Sequence, residues 1–371
     1  MKFVRNVFLL VLLATRMVSC TYEQQNNVVV YMQNSADNSL CKILNKCGVV
    51  FSKVSKIDVS NNDESLYIIS GDLIDISKLS LPKNYILHHT GSLSKKDISH
   101  NSELLSKAIA VWDISWANIN KYKKNVKNFY YLPGADYQFL DPVILPCFLS
   151  AKELSSYRNL LVYGNSVDTD ISSHLPSLFY HCCKQKPSFI VELGVRGGES
   201  TIALHEASVL NGALLLGVDI DNCAAAYSKF SDSLFVQMDD TQFTLPLSQL
   251  PQLPKTIDFL FIDTSHQYAH TMKELSVFVS LLSEHGTVAF HDSNVTPLGD
   301  NSGYARLNGT SQSGIYGNPR GVTEAIKEFF GLSFNEYDYL DKKFISRGFE
   351  WHVIHYPFCN GFTVIQKIDK A

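Results

Sequence analysis

Four side chains in the second half of the sequence could act together on one substrate group. Asp263 and His266 form a D-x-x-H unit just after a hydrophobic run, and His291 and Asp292 end the next such run. Two carboxylates and one or two imidazoles, with positions left open for water or substrate, suit a divalent ion that binds a hydroxyl pair and lowers its pKa. If the two runs are strands of one sheet, the pattern predicts a hard-metal site.

A glycine-rich segment precedes these residues and has the form of a cofactor-binding loop. Residues 189–201 read FIVELGVRGGEST, a hydrophobic strand that ends in Glu192, then a glycine-rich turn and the start of a helix. Gly194, Gly197 and Gly198 allow strained backbone turns and let a ligand approach without meeting a Cβ. The segment therefore predicts contact with a nucleoside cofactor.

The segments after this loop repeat one pattern, a β-type hydrophobic run that ends in a polar residue. This period is typical of a parallel α/β sheet, in which ligands bind outside the carboxyl ends of the strands. The acids at these ends are Glu192, Asp219, Asp239, Asp240, Asp263 and Asp292. We expect an α/β fold with a Rossmann-like, doubly wound sheet whose carboxyl edge forms the site.

Charge favours one cofactor over another. Arg196 replaces the second glycine of a dinucleotide fingerprint, and Glu199 stands where a phosphate would meet the helix N-terminus. S-adenosylmethionine has no phosphate, and its sulfonium, amino-acid head and ribose diol tolerate nearby carboxylates. The loop therefore favours S-adenosylmethionine.

Residues 189–367 resemble class I S-adenosylmethionine-dependent methyltransferases, and within them the cephalosporin hydroxylase proteins and the macrocin and rhamnosyl O-methyltransferases. The resemblance rests on ELGVRGGEST, GVDID, FIDTSHQY, GTVAFHDS and a late GFTVIQK that looks like a final antiparallel strand. It implies three groups of cofactor contacts. Glu192, Gly194 and Gly198 would line the methionine end, Asp219 would hold the ribose hydroxyls, and Asp239 or Asp240 would lie near the adenine.

The same resemblance implies roles for the four residues of the D-x-x-H region. Asp263 and Asp292 would be metal ligands, and His266 would be the general base that takes the proton of the acceptor hydroxyl. His291 stands where metal-dependent members usually have glutamate. It is either a third ligand, which would favour manganese or iron over magnesium, or a second base in a metal-free site. Both alternatives stay open.

A glycine-rich and polar stretch, residues 293–319, interrupts the pattern after Asp292. Connections of this length are uncommon unless they serve as lids or binding loops. The side chains suited to hydrogen-bonding or stacking on a sugar are Tyr304, Arg306, Asn308, Tyr316 and Arg320. We expect an acceptor-binding lid here, followed by a core-packing helix in VTEAIKEFF.

Length and charge set the outer limits. A chain of 371 residues can bury two cores, and a net charge of −4 without a basic face disfavours nucleic acid as a partner. The expected division is a leader at 1–20, a smaller α/β domain at 21–139, a linker at 140–170 and the methyltransferase-like domain at 171–371. A homo-oligomer is compatible with this division.

The first domain contains short β-like runs, beginning with VVVYM, and then an apolar pattern at helical spacing over residues 102–122. This pattern predicts one amphipathic helix, with Trp112 and Trp116 on one buried face. The run from 110 to 137 also resembles part of the N-terminal lobe of two-lobed glycosyltransferases. That resemblance implies an acceptor-docking domain, or less readily a transferase lobe with its own activity.

The N-terminus and the predicted methyl donor indicate different compartments. Residues 1–20 have the layout of a secretory or lipoprotein leader, but the apolar run is too short to span a bilayer. S-adenosylmethionine is a cytosolic metabolite, so the sequence favours a cytoplasmic or cytoplasmic-face, membrane-associated location, with export as the alternative. Cys41 and Cys47 could bridge in an oxidising compartment, although buried free thiols are commoner.

Together these patterns predict an S-adenosylmethionine-dependent O-methyltransferase that acts on a hydroxyl of a sugar, glycan or other polar small molecule, with Mg2+ or Mn2+ as a candidate cofactor. The candidate catalytic residues are Asp263, His266 and His291, and the candidate metal ligands are Asp263, His291 and Asp292. The alternative is a non-catalytic, exported glycan-binding protein on the same scaffold.

Overall fold

The computed structural model of the chain describes residues 27–33, 39–57, 65–71, 73–90, 93–113, 116–122, 124–131, 144–167, 169–243, 253–293, 321–336, 338–357 and 359–370. The chain divides into two compact units, residues 1–155 and 156–371. The boundary lies in helix Ala151–Gly164, within the segment 140–170 that the sequence analysis treats as a linker.

The first unit is built on a six-stranded sheet in which every pair of neighbours is parallel. Its order is β2-β1-β3-β4-β5-β6. The strands are β1 Asn27–Met32, β2 Phe51–Val54, β3 Ser65–Gly71, β4 Tyr85–His89, β5 Ala110–Asp113 and β6 Phe129–Tyr131. The helices are α1 Ser39–Lys46, α2 Leu73–Ile76, α3 Lys95–His100, α4 Ser102–Lys107 and α5 Trp116–Tyr122.

The single helix predicted over residues 102–122 is wrong. The segment contains α4, then β5, then α5, and Trp112 lies on β5 with its side chain fully buried. β5 pairs with β4 on one side and β6 on the other, so its backbone groups are satisfied by the sheet. Tertiary pairing therefore overrides a helical spacing that α4 and α5 only partly supply.

The second unit contains an eight-stranded sheet and six helices among the described residues. The strands are β7 Phe189–Leu193, β8 Leu214–Asp219, β9 Ser233–Gln237, β10 Ile257–Ile262, β11 Leu282–His291, β12 Leu340–Ser346, β13 Phe349–Tyr356 and β14 Phe362–Lys370. The helices are α6 Ala151–Gly164, α7 Leu175–Gln185, α8 Glu199–Asn211, α9 Ala224–Tyr227, α10 Tyr268–Phe278 and α11 Gly321–Phe330. Short 3-10 turns of this unit lie at Ser172–His174, Asp240–Gln242 and Val279–Leu281, and another, Leu145–Phe148, lies in the first unit.

The sheet of the second unit has the order β12-β13-β14-β11-β10-β7-β8-β9. The strands β11, β10, β7, β8 and β9 are parallel to one another. On the other side of β11, each of the neighbouring pairs β11–β14, β14–β13 and β13–β12 is antiparallel. This confirms the predicted Rossmann-like α/β fold and the late antiparallel strand. The strand order reverses between β7 and β10, and ligands bind at such a switch point in open α/β sheets.

The central strands are hydrophobic on both faces, which explains their continuous apolar runs. All five residues of β7 are buried, as are five of the six residues of β10. α11, the helix predicted from VTEAIKEFF, buries Val322, Ile326 and Phe330 in the core of this unit. The carboxyl edge of the sheet is thereby held on a rigid, packed base.

Several predicted features lie outside the described residues: the leader at 1–20 and the lid side chains Tyr304, Arg306, Asn308, Tyr316 and Arg320. Cys41 and Cys47 are described; both are buried, and they do not bridge each other. Within the described part of the chain, no helix combines the length and hydrophobicity needed to cross a membrane.

Candidate active site

The turn after β7 approaches the end of β10 closely. Gly194 has φ +84°, and a Cβ at this position would lie 2.1 Å from the carbonyl oxygen of Asp263. Gly198 has φ +85° and precedes the first residue of α8. The left-handed φ values disfavour side chains at both positions, and the Asp263 contact excludes one at Gly194. The glycines therefore shape the cradle that the sequence predicts for a cofactor.

Asp219, at the end of β8, holds this turn through backbone amides. Its Oδ2 accepts hydrogen bonds from the amides of Val195 at 2.7 Å and Arg196 at 3.1 Å, and its Oδ1 accepts one from Asp221 at 2.9 Å. Partial burial would raise the pKa of Asp219, but these amides outweigh it and hold the pKa below its usual value. Asp219 is therefore an ionised carboxylate beside the glycine turn, where a ribose contact stays a prediction.

Glu192 is fully buried, and its carboxylate faces protein hydroxyls. Oε1 accepts from Ser200 at 2.5 Å, and Oε2 accepts from Thr201 at 2.8 Å and Tyr227 at 3.2 Å. Burial raises the pKa of Glu192 to about 7, although the three hydroxyls act in the opposite direction. Glu192 joins β7 to the start of α8, and its contact with a methionine moiety stays a prediction.

The two acids after β9 have different surroundings. Asp239 caps the 3-10 turn, because its Oδ1 accepts from the amide of Thr241 at 3.0 Å and from its hydroxyl at 2.7 Å. Asp240 is buried and lies 3.0 Å from Nε2 of His270 through Oδ1. A contact of either residue with adenine stays a prediction.

The structure brings Asp263, His266, His291 and Asp292 together at the ends of β10 and β11. Nε2 of His266 lies 2.9 Å from Oδ1 of Asp263 and 3.3 Å from Oδ2 of Asp292. Nδ1 of His291 lies 3.5 Å from Oδ1 of Asp263 and 3.4 Å from Oδ1 of Asp292. The four side chains thus form one cluster, with each imidazole facing both carboxylates.

The two histidines differ in accessibility. The His266 side chain is 13% exposed, whereas that of His291 is fully buried. Candidate metal-ligand atoms of Asp263, His266 and Asp292 lie within 4.8 Å of one another, and His291 is not in that group. His266 is therefore better placed than His291 to meet a substrate or an ion.

Backbone strain marks the same positions. His266 has φ 56° and Asp292 has φ 50°, both in the left-handed region that disfavours residues with a Cβ. The chain also passes Gly321 so closely that a Cβ there would lie 1.6 Å from the carbonyl oxygen of His266. Strained backbone of this kind clusters at functional sites.

Electrostatics couple the four groups. Burial would raise the pKa of Asp263, but attraction to His291 and the hydrogen bond from His266 outweigh it and lower the pKa. Burial would lower the pKa of both imidazoles, but the attraction of the two carboxylates outweighs this effect. The pKa of His266 is therefore raised, and the pKa of His291 is raised to about 9. Burial raises the pKa of Asp292, and both histidines offset only part of this effect.

The cluster fits a divalent ion. Oδ1 of Asp292 is buried and has no hydrogen-bond partner among the described residues. Carboxylate oxygens are ligands for Mg2+ and Mn2+, and an imidazole nitrogen is compatible with Mn2+. Asp263 and Asp292 are therefore the residues that would hold such an ion, with His266 and His291 both beside them, and the ligand role of His291 stays a prediction.

Sequence reasoning missed several residues near these groups. His174, on a 3-10 turn before α7, is fully buried with its ring centre 5.5 Å from that of His291. His270 and Glu274, one turn apart on α10, face Asp240 after β9. The i, i+4 spacing of His270 and Glu274 was visible in the sequence, but their acidic partner was not.

In the group formed by Asp240, His270 and Glu274, two side chains have strongly raised pKa values. Hydrogen bonds to Asp240 and Glu274 raise the pKa of His270 to about 10. Burial raises the pKa of Glu274 to about 7. The three residues are therefore tightly linked by charge.

A family model described as a methyltransferase domain matches residues 191–293, from β7 to the end of β11. Residues 191–293 of this chain are therefore similar to a methyltransferase domain. The match covers the glycine turn, Asp219 and the Asp263 and Asp292 strand ends. A comparison with curated protein sequences gave no significant match.

Solved structures similar to this chain include several methyltransferases. The Podospora anserina methyltransferase PaMTH1, bound to SAH, is 15% identical, with 59% of this chain and 88% of that chain covered and a TM-score of 0.36. MycE from the mycinamycin pathway, in complex with Mg, SAH and mycinamycin VI, is 13% identical, with 53% and 50% covered and a TM-score of 0.35. The Bacillus cereus O-methyltransferase, in complex with SAH, is 14% identical, with 58% and 91% covered and a TM-score of 0.34.

Proposed function

We propose that the methyltransferase domain transfers a methyl group to a hydroxyl oxygen of a sugar or another polar small molecule, with a divalent ion, Mg2+ or Mn2+, held by Asp263 and Asp292. The supporting observation is the position of the Asp263 cluster. Asp263 follows β10 directly, and its carbonyl group packs against Gly194 of the cofactor turn. Acceptor chemistry at Asp263 and methyl-donor binding at the turn are therefore adjacent.

His266 is the proton acceptor in this proposal. The His266 side chain is 13% exposed and its Nε2 faces two carboxylates, which stabilise the imidazolium formed when the ring takes the hydroxyl proton. A divalent ion, when bound, supplies positive charge that lowers the pKa of the acceptor hydroxyl. Asp263 has two tasks: it orients His266 and offers an oxygen to the ion.

The cofactor turn holds the methyl donor on the other side. S-adenosylmethionine, when bound, supplies the electrophilic methyl group. The ionised Asp219 carboxylate lies beside the glycine turn and is available to ribose hydroxyls. The packing of the turn on β10 fixes the distance between this carboxylate and the Asp263 cluster, so that the chain orients both reactants.

The test separates chemistry from binding. We expect Asp263→Ala and His266→Ala to lower methyl transfer by roughly a hundredfold or more, the typical contribution of a positioned acid or base. Binding of S-adenosylmethionine, measured by calorimetry, should change little, because neither side chain forms the glycine turn. Transfer would be followed with methyl-labelled cofactor and a panel of glycosides and polyols, with and without Mn2+.

A second histidine–aspartate pair provides the matched control. His352 and Asp341 contact each other between β13 and β12, away from the ends of β10 and β11. His352→Ala and Asp341→Ala should leave transfer at the wild-type rate. Unchanged transfer in Asp263→Ala, or equal losses in the control variants, would contradict the proposal.

A further inference from the structure

A second group of potential ligands lies outside the Asp263 cluster. Asp240 begins the 3-10 turn after β9, and His270 and Glu274 lie one turn apart on the same side of α10. Nε2 of His270 is 3.0 Å from Oδ1 of Asp240 and 3.4 Å from Oε1 of Glu274. One ligand atom from each residue lies within 4.8 Å of the others. Two separate chain segments therefore bring together three side chains of types that can bind a metal ion.

Burial makes this arrangement costly without a further partner. The Glu274 side chain is fully buried, and its Oε2 has no hydrogen-bond partner among the described residues. Its Oε1 accepts from the hydroxyl of Thr264 at 2.6 Å. A buried carboxylate oxygen without a donor costs about 1–3 kcal/mol or more. A cation bound at this point would offset part of this cost.

We propose that Asp240, His270 and Glu274 bind a divalent transition-metal ion of the zinc class. One imidazole nitrogen and two carboxylate oxygens form a ligand set used by Zn2+, and the imidazole disfavours Mg2+. The His270 side chain is 28% exposed, which gives an ion access and leaves a coordination position for water. The ion would join the turn after β9 to α10.

Zinc binding by the full-length chain tests this site directly. We expect the wild type, dialysed against Zn2+ and measured by metal analysis, to retain one equivalent that His270→Ala and Glu274→Gln lose. Zn2+ should also raise the thermal unfolding temperature of the wild type, since a ligand that binds only the folded state stabilises it. That rise should be smaller in both variants, because only the Asp263 cluster then remains to bind the ion.

Two controls keep the site distinct from the Asp263 cluster. The double variant Asp263→Asn, Asp292→Asn should still retain the one equivalent of zinc that binds Asp240, His270 and Glu274. Any zinc bound at the Asp263 cluster does not affect this expectation. His100→Ala changes an exposed histidine of the first unit and should leave zinc binding unchanged. Glu274→Gln preserves side-chain volume, so it remains informative if His270→Ala fails to fold.

The outcomes that overturn the proposal are specific. If His270→Ala and Glu274→Gln retain as much Zn2+ as the wild type, the ion binds elsewhere. If the double variant loses all bound zinc, the Asp263 cluster is the only metal site. Either result leaves the proposed methyl transfer intact, because that proposal depends on Asp263, His266 and Asp292.

Discussion

Glu192 makes the stability of the second unit depend on pH. Its side chain is fully buried at the end of β7, and its pKa is raised by burial to about 7 from an ordinary value of 4.5. A carboxyl group whose pKa is raised on folding binds more protons in the folded chain than in the unfolded chain. Stability is therefore highest below pH 4.5 for this group and falls as pH rises towards 7.

The size of the effect follows from the two pKa values. The difference between 7 and 4.5 corresponds to about 3 kcal/mol, an order-of-magnitude figure for a buried group. Glu192→Gln keeps the shape and removes the charge. Relative to the wild type, the variant should gain about 3 kcal/mol of stability between about pH 4 and pH 8.

Hydrogen exchange of the amides of β7, corrected for the intrinsic pH dependence of exchange, measures this change within the second unit. The wild-type and variant values near pH 4 are the internal control, because both side chains are then neutral. The difference at low pH reports altered hydrogen bonding to Ser200 and Thr201. If that difference stays the same up to about pH 8, the argument that ionised Glu192 is destabilising is wrong.

Three other substitutions test the cofactor turn and the hydrogen bonding of Glu192. Gly194→Ala should destabilise the second unit by several-fold more than Gly212→Ala in thermal unfolding, because both have positive φ but only Gly194 would also clash with backbone. Asp219→Asn should weaken S-adenosylmethionine binding roughly tenfold or more in calorimetry, since charged hydrogen bonds contribute about 1.5–3 kcal/mol. Tyr227→Phe should lower stability more at high pH than at low pH, because its hydroxyl donates to the Glu192 carboxylate.

The sequence predicted the second unit well because its central strands are buried on both faces. Such strands appear as mostly apolar runs, and β7, β8 and β10 each coincide with one. The carboxyl ends of parallel strands share one edge of the sheet, so the acids that follow these runs lie near one another. Asp263 and Asp292 could therefore be placed together before their distances were known.

The first unit was less predictable where short elements alternate. Residues 102–122 have apolar positions at helical spacing, but β5 occupies the middle of the segment between β4 and β6. The hydrogen bonds between strands that stabilise β5 come from residues distant in sequence. The spacing of apolar residues within the segment does not show these partners, which is why the prediction of one helix was wrong.

The zinc-class group was missed for a related reason. His270 and Glu274 have a regular helical spacing, but a histidine and a glutamate one turn apart are common on solvated helix faces. The feature that distinguishes them is Asp240, thirty residues earlier and across a turn. Only the fold shows that the three meet and that Glu274 is buried.

Two residues of the Asp263 cluster have a strained backbone conformation. His266 and Asp292 both hold left-handed φ values, which cost roughly 1–2 kcal/mol at each residue. Glycine would remove this strain, and it occupies the crowded neighbouring positions Gly194 and Gly321. The chain thus has glycine where backbone segments pass closely and retains side chains at His266 and Asp292. The proposed proton transfer to His266 gives a reason for keeping these side chains at strained positions.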